Sequence, residues 1–185
     1  MRIAIDLDGV VVDLMQAYCK LASNKFNIDF TINSIRDYAL YKSLGVSESS
    51  ANSLFKEIDY TALAAIDGAV DSILRLREQY DLFFLTQRPK QVKHATKAWL
   101  NKHNLAAIEV VFVCDNRAGG AKKSACVEFD LLIDDDLDEI LALQPGQRGI
   151  LYNWPWNNNL NALGNLTIAH DWLQIEGLIK QFNNR

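Results

Sequence analysis

The sequence predicts an α/β protein, a doubly wound sheet of parallel strands with a helical module inserted after the first strand. Two observations predict the sheet: short, continuous apolar runs recur along the chain, and helical patterns separate them. One observation predicts the module, because no strand run occurs from about residue 14 to residue 66. The 185 residues suffice for one buried core and this addition, but not for two large domains.

Five apolar runs are the predicted strands. They are RIAID at 2–6, DLFFLT at 81–86, VVFV at 110–113, DLLID at 130–134 and GILYN at 149–153. The helical patterns are GAVDSILRLREQY at 68–80, PKQVKHATKAWLNKH at 89–103, DLDEILAL at 136–143 and HDWLQIEGLIKQF at 170–182. Right-handed crossovers between parallel strands place the C-terminal ends of all these strands along one edge of the sheet.

The segment 14–66 contains only helix-like stretches, LMQAYCKLASNKF and SESSANSLFKEI among them, joined by polar connections. It is too long for a loop within a domain of this size. We therefore predict a core formed by 1–13 and 67–185, with 14–66 as an inserted helical module. The sequence leaves open whether this module lies over the edge of the sheet or packs sideways as added core.

Composition excludes several classes of protein. With a net charge of -4 and a pI of about 5.3, the chain has no general attraction to nucleic acid or to anionic membranes. Cys19, Cys114 and Cys126 show no CxxC spacing, so we interpret them as buried thiols rather than as disulfides or zinc ligands. No targeting segment or apolar run of about 18 residues occurs. We expect a cytoplasmic protein without a nucleic-acid polymer or a membrane as partner.

Polar side chains follow the predicted strands at the shared edge. They are Asp6 and Asp8 after the first strand, Thr86 and Gln87 after the second, and Asp134, Asp135 and Asp136 after the DLLID run, with Lys122 and Lys123 shortly before that run. So many acids at one edge would repel one another unless a cation lay between them. Oxygen donors without Cys or His favour a hard ion, and Mg²⁺ also binds a substrate phosphate. The sequence therefore predicts a Mg²⁺ site for a phosphate-bearing substrate.

Four short motifs, in this order, resemble those of phosphohydrolases of the haloacid dehalogenase (HAD) superfamily: DLDGV, FFLTQ, a Lys near KKSA, and LLIDDD. Within that superfamily the chain is similar to the 5'(3')-deoxyribonucleotidases and their bacterial relatives, the 5'-nucleotidase, deoxy, type C family. The similarity extends to the DLDGVVVD opening, the inserted helical segment, the interval between the Lys and LIDD, and the tail GILYNWPWN…HDW. It implies a HAD-like Rossmann-type core with 14–66 as a small helical cap.

The resemblance also implies a role for each motif residue. Asp6 would be the nucleophile that forms an aspartyl phosphate. Asp8 would protonate the leaving alkoxide and then deprotonate the attacking water. Thr86, Gln87 and Lys123 would bind the phosphate and offset the charge that develops on its oxygens.

The same resemblance implies the ligands of Mg²⁺. They would be the Asp6 carboxylate, the Asp8 main-chain carbonyl and a carboxylate of the LLIDDD motif. Asp135 is favoured as the direct ligand, with Asp134 binding through a water molecule.

Three positions have alternatives that the sequence leaves open. Lys123 has the interval to the LIDD motif that suits the family, and Lys122 is the substitute. Asp136 fits either the acid cluster or a helix N-cap. Arg88 fits a contact with substrate and an exposed position in a loop equally well.

Aromatic residues are candidates for substrate specificity. Tyr18, Tyr38 and Tyr41 in the cap could stack on a base, as aromatic platforms do. Packing among the cap helices is the simpler interpretation of the same residues. We interpret Trp154 and Trp156 as side chains that hold a long loop in place rather than contact substrate.

We therefore expect a Mg²⁺-dependent phosphomonoesterase whose substrates are nucleoside monophosphates, in particular deoxyribonucleotides with a 5' or 3' phosphate. A homodimer is compatible with the sequence. Gln87 stands where the resembled enzymes usually carry Ser, so a sugar phosphate or another small metabolite is an alternative substrate. A non-catalytic nucleotide-binding protein is the alternative from another class, although a binder gains nothing from two acids placed as Asp6 and Asp8 are. A polynucleotide 3'-phosphatase would need a basic groove, which the sequence does not indicate.

Overall fold

A parallel sheet runs through the computed structural model, which describes residues 1–36, 39–113, 123–157 and 166–183. In the strand order β3-β2-β1-β4-β5-β6, each neighbouring pair is parallel. The strands are β1 (Arg2–Ile5), β2 (Asp81–Thr86), β3 (Glu109–Phe112), β4 (Leu131–Asp134), β5 (Arg148–Tyr152) and β6 (Ile168–Ala169). The predicted α/β class is confirmed. β6 was not predicted, because two residues do not form a recognisable apolar run.

The central strands are apolar throughout because both faces of the sheet are covered. Alternate residues of β1 and β2 belong to different clusters of buried side chains: Ile5 and Phe84 pack on one face, and Ala4 and Phe83 on the other. A strand buried on both faces has no reason to alternate between polar and apolar residues. This explains why continuous apolar runs located five of the strands to within one residue at each end.

Helices connect and cover the strands. They are α1 (Leu14–Phe26), α2 (Leu40–Leu44), α3 (Glu48–Leu54), α4 (Ala69–Leu76), α5 (Lys93–Lys102), α6 (Leu137–Leu141) and α7 (Trp172–Asn183). Short 3₁₀ helices lie at Ile32–Ser34, Lys90–Val92, Lys123–Ala125 and Pro155–Asn157. The prediction for α1 is correct at both ends, whereas α4, α5 and α6 are shorter than predicted. α7 begins after Asp171, whose carboxylate accepts a hydrogen bond from the Gln174 N–H at 2.8 Å as an N-cap.

The inserted segment leaves the core and returns to it at one point. The Asp13 N–H donates to the Ala64 carbonyl at 3.0 Å, and the Ile66 N–H donates to the Val11 carbonyl at 2.9 Å. Between these bonds, Val12 and Ala65 form an antiparallel bridge. Within 14–36 and 39–66 the structure contains helices and no strand. We propose on this basis that 14–66 is the cap and that 1–13 and 67–185 form the core.

Two sequence expectations concern the chain as a whole. Of the cysteines, Cys19 is buried as expected, but Cys126 is exposed, so its interpretation as a buried thiol was wrong. The expectation for Cys114 falls outside the described residues. Among the helices of the described ranges, none has the length and apolar character needed to cross a membrane.

The sheet should depend on Phe84, which is fully buried in β2, next to the central strand β1. We expect Phe84→Ala to lower the free energy of unfolding by about 3 to 5 kcal/mol, since it removes a large apolar side chain and leaves a cavity. Leu173→Ala is the control, because Leu173 is 78% exposed on α7 and should change stability by less than about 0.5 kcal/mol. Denaturant unfolding of both variants measures this difference, and equal losses would contradict the assignment.

Candidate active site

Three carboxylates meet at the C-terminal edge of the sheet. Asp6 directly follows β1, Asp134 is the last residue of β4, and Asp135 follows it. One oxygen of each lies within 4.8 Å of the others, and all three residues are buried. The Asp6 N–H donates to the Ile133 carbonyl at 2.9 Å, which continues the pairing of β1 with β4 and brings these acids side by side.

Lys123 places an ammonium group among these acids. Its Nζ donates to Asp6 Oδ1 and, at 2.8 Å, to Asp134 Oδ2. Lys123 is only 3% exposed, although it lies on a 3₁₀ helix in a loop. The structure thus brings the predicted Lys123 to the acids, while the substitute, Lys122, lies outside the described residues.

The cluster carries more negative than positive charge. Burial raises the pKa of Asp6 above its ordinary value of 3.8, and the charges of Asp134 and Asp8 raise it further. Burial likewise raises the pKa of Asp135. Burial alone would lower the pKa of Lys123, but the charges of Asp134 and Asp6 outweigh it and raise this pKa. One ammonium cannot neutralise three buried carboxylates, so these oxygens fit a hard divalent cation.

Asp8 lies beside this cluster and is paired with Arg88. Arg88 Nε donates to Asp8 Oδ2 at 2.8 Å, and Nη2 donates to Oδ1 at 2.6 Å. Arg88 is 3% exposed, so the interpretation of this residue as exposed in a loop was wrong. An Arg that precedes Pro in a loop carries no sequence signal of burial, because its partner is 80 residues away along the chain.

Glu139 is a site residue that sequence reasoning missed. This fully buried residue of α6 accepts a hydrogen bond from Gln87 Nε2 at 2.9 Å and another from the Lys123 N–H at 2.7 Å. It therefore links the loop after β2 to the loop that carries Lys123. In the sequence nothing separates Glu139 from the other acids of DLDEIL.

The segment after β5 supports Asp135. Trp156 Nε1 donates to Asp135 Oδ2 at 3.2 Å, and Asn157 Nδ2 donates to the Asp135 carbonyl at 3.0 Å. Trp154 Nε1 donates to the Gly9 carbonyl at 2.6 Å and stacks on Trp156 with ring centroids 5.0 Å apart. Trp154 and Trp156 thus fix the described start of this loop against Gly9 and Asp135, and Trp156 also borders the cavity described below, where no substrate contact was expected.

Position 9, directly after Asp8, requires glycine for two reasons. Its φ of +85° is a left-handed conformation that favours glycine. A Cβ at this position would lie 2.6 Å from Asp135 Oδ2. The loop after β1 can approach Asp135 this closely only without a side chain.

A cavity of about 860 Å³ opens over these groups. From the core it is lined by Asp6, Asp8, Gly9, Thr86, Gln87, Arg88, Pro89, Gln91, Val92, Lys123, Asp135 and Trp156. From the inserted segment it is lined by Leu14, Met15, Ala39, Leu40, Tyr41, Glu48, Asn52, Phe55, Lys56, Ile58 and Tyr60. The inserted segment therefore lies over the edge of the sheet, which was one of the two placements left open.

The candidate specificity residues of this segment are placed differently. Tyr41 lines the cavity. Tyr18 does not: its hydroxyl donates to the Ala51 carbonyl at 3.2 Å and its ring packs against Phe55, as the packing interpretation predicts. Tyr38 falls outside the described residues. Asp136 is the N-cap of α6, since its carboxylate accepts from the Asp138 N–H at 2.9 Å.

Comparison with known proteins identifies the family. The family model described as 5' nucleotidase, deoxy (pyrimidine), cytosolic type C protein matches residues 1–183. The chain belongs to this nucleotidase family. It is accordingly a member of the HAD superfamily and a phosphoric monoester hydrolase, and its substrate is a small phosphomonoester.

One curated nucleotidase resembles this family member in sequence, and solved structures share its fold. The putative nucleotidase YqfW of Bacillus subtilis is 24% identical over 94% of this chain and 91% of its own length. A haloacid dehalogenase-like family hydrolase from Streptococcus pneumoniae shares the fold with a TM-score of 0.67, at 15% identity over 96% of this chain and 97% of that one. The putative HAD-hydrolase YfnB from Bacillus subtilis, whose structure holds magnesium, shares the fold with a TM-score of 0.56. It is 19% identical over 96% of this chain and 97% of that one.

The crowded acids should make the nucleotidase less stable when no cation is bound. The pKa values of Asp6 and Asp135 are higher in the folded chain than in the unfolded chain, where burial is absent. Protons therefore bind the folded state more tightly, which stabilises it at low pH. In EDTA we therefore expect the free energy of unfolding to fall as the pH rises above 3.8 through the raised pKa values. Asp135→Asn should flatten this dependence and add about 1 kcal/mol of stability at alkaline pH.

Denaturant unfolding in EDTA across this pH range measures the effect. Asp29→Asn is the matched control, because Asp29 is exposed and lies outside the acid cluster. A stability that rises with pH in the original chain, or an equal change in both variants, would contradict this account.

Proposed function

We propose that this phosphohydrolase is a Mg²⁺-dependent 5'(3')-deoxyribonucleotidase that acts through an aspartyl phosphate on Asp6. The observation that carries the proposal is the buried cluster of Asp6, Asp134, Asp135 and Lys123, of which Asp6, Asp135 and Lys123 line one cavity. A nucleophile, a site for a cation and a fixed positive charge are the groups that phosphoryl transfer needs.

The first half-reaction would begin with attack on phosphorus by an Asp6 oxygen, while the bond from phosphorus to the ester oxygen breaks. The Thr86 hydroxyl would donate a hydrogen bond to a phosphoryl oxygen, and Lys123 would place its charge against the phosphoryl group and Asp6. Asp8 would give a proton to the leaving alkoxide. Each Asp8 oxygen accepts one hydrogen bond from Arg88 in the structure, which leaves a second lone pair on each oxygen to carry this proton.

The residues that would hold Mg²⁺ are Asp6, Asp135 and Asp134, together with the main-chain carbonyl of Asp8. Their fit rests on buried oxygen donors whose pKa values are raised by burial and by one another's charge. Bound there, Mg²⁺ would offset the charge of the phosphoryl oxygens and keep Asp6 ionised. The indole of Trp156 and the amide of Asn157 would hold Asp135 in place for this task.

The cavity supports a substrate larger than phosphate alone. Its volume of about 860 Å³ lies within the range usual for sites of small organic ligands. Beyond the phosphate end, the wall is mostly apolar, with Leu14, Leu40 and Phe55, and Tyr41 and Asn52 also border it. Such a wall suits a base and a sugar. The deoxynucleotidase description of the family supports the same choice.

The substrate proposal is tested by phosphate release with Mg²⁺ across 5' and 3' deoxyribonucleoside and ribonucleoside monophosphates and common sugar phosphates. We expect turnover concentrated on deoxyribonucleotides, and loss of at least about 10³-fold in Asp6→Asn because no nucleophile remains. Turnover only on sugar phosphates would replace the substrate and keep the chemistry. An inactive original chain that binds nucleotide as well as Asp6→Asn does would overturn the enzymatic proposal.

The metal proposal is tested by thermal unfolding and by activity at increasing Mg²⁺. We expect Mg²⁺ to raise the melting temperature, since it binds the folded site. Trp156→Phe should raise the Mg²⁺ concentration for half-maximal effect about 10-fold in both measurements, because it removes a hydrogen bond to Asp135. Trp99→Phe is the control, since Trp99 Nε1 donates to the Leu63 carbonyl and Trp99 does not border the cavity. No Mg²⁺ shift in the original chain would contradict the proposed cofactor.

A further inference from the structure

The roles proposed so far do not explain why Arg88 pairs with Asp8. We propose that Arg88 is a positioning residue, which holds the Asp8 carboxylate so that it accepts the proton of water in the second half-reaction. This inference rests on the proposed two-step function. It assigns to Arg88 no contact with substrate.

The guanidinium of Arg88 is itself fixed from several sides. Nη1 donates to Thr96 Oγ1 at 3.1 Å, and the Thr96 hydroxyl donates to the Val92 carbonyl at 2.9 Å, within the first turn of α5. The ring of Tyr60 lies over the guanidinium, 5.0 Å from its carbon to the ring centroid. The Arg88 N–H donates to Thr86 Oγ1 at 3.2 Å. All three nitrogens of the guanidinium therefore have partners within the protein.

Asp8 is the more exposed member of the pair. Its side chain is 23% exposed, whereas that of Arg88 is 1% exposed. A carboxylate at the edge of a cavity can rotate, but two parallel N–H bonds from a planar guanidinium fix both its position and its plane. The rigid partner thus determines where the mobile one points. Asp8 is connected in this way to α5 rather than only to its own loop.

The pair as it stands suits acceptance of a proton. Each carboxylate oxygen has two lone pairs, and Arg88 occupies one on each oxygen of Asp8. A lone pair therefore stays available for the proton of water while both bonds to Arg88 persist. The proton held there is the one that Asp8 donates in the first half-reaction of the next turnover, so neither transfer requires a bond to Arg88 to open.

In the second half-reaction, water displaces the Asp6 carboxylate from phosphorus. The water oxygen bonds to phosphorus, one water proton passes to Asp8, and the bond from phosphorus to the Asp6 oxygen breaks. Inorganic phosphate leaves, and Asp6 is a carboxylate again. If Asp8 is misplaced by the loss of Arg88, this step slows and the aspartyl phosphate accumulates.

The experiment compares Arg88→Met and Arg88→Lys with the original chain on p-nitrophenyl phosphate. Its phenolate leaves without a proton, so the first half-reaction does not need Asp8. The value of kcat/KM reports only this first half, whereas kcat includes hydrolysis of the aspartyl phosphate. We expect Arg88→Met to lower kcat about 100-fold, with kcat/KM changed less than about 3-fold. Rapid mixing should show a burst of about one equivalent of phenolate per chain.

Arg88→Lys should lie between Arg88→Met and the original chain, because Lys keeps the charge but cannot make the two parallel bonds. If Arg88→Met does not fold, Arg88→Lys carries the test. Arg75→Met is the matched control. Arg75 on α4 pairs with Glu176 on α7, does not border the cavity, and should leave kcat unchanged.

A double variant separates positioning from other roles. In the Asp8→Asn background, loss of Arg88 should not slow hydrolysis of the aspartyl phosphate further, because Arg88 acts through Asp8. Multiplied losses, or a raised KM with unchanged kcat, would mean that Arg88 contacts substrate and would overturn the proposal. Equal losses in kcat and kcat/KM without a burst would overturn it as well.

A failure of the two-step mechanism would give a different result from a failure of the Arg88 proposal alone. If the original chain hydrolyses no phosphomonoester, or if Asp6→Asn keeps its activity, the two-step mechanism is wrong and the inference falls with it. If the original chain is active through Asp6 and the Arg88 variants show no burst, only the role of Arg88 is wrong.

Discussion

The structure of the active site depends on one electrostatic constraint: three buried carboxylates share a single described ammonium group. Asp6, Asp134 and Asp135 are brought together by parallel pairing of β1 with β4, and Lys123 lies between two of them. Their mutual repulsion costs stability in the absence of a cation. The same repulsion would provide the affinity for the cation that the proposed chemistry requires.

The surrounding side chains hold these charges in place. Glu139 connects the loops of Gln87 and Lys123, and Trp156 and Asn157 hold Asp135 from the segment after β5. These hydrogen bonds fix the proposed catalytic residues and the loops that carry them. A proposed phosphoryl-transfer site of this kind relies on prior orientation, since its catalysis consists of positioning and of charge stabilisation.

Arg88 extends the same principle to the second acid of the opening motif. It pairs with Asp8, and the ring of Tyr60 from the inserted segment covers it. Tyr60 therefore brings the segment that forms about half of the cavity wall into contact with the partner of Asp8. The inserted segment and the proposed catalytic residues are packed against each other at this point.

The sequence by itself determined the α/β class, five of the six strands in the described part of the chain, the inserted helical segment and the gathering of Asp6, Thr86 and Asp134 at one edge. It could do so because continuous apolar runs and the rules of parallel connections are local in the chain. Only the tertiary structure decided the burial of Arg88, the role of Glu139 and the cavity under the inserted segment. Their partners are distant in sequence, and no local pattern records which polar side chain meets which.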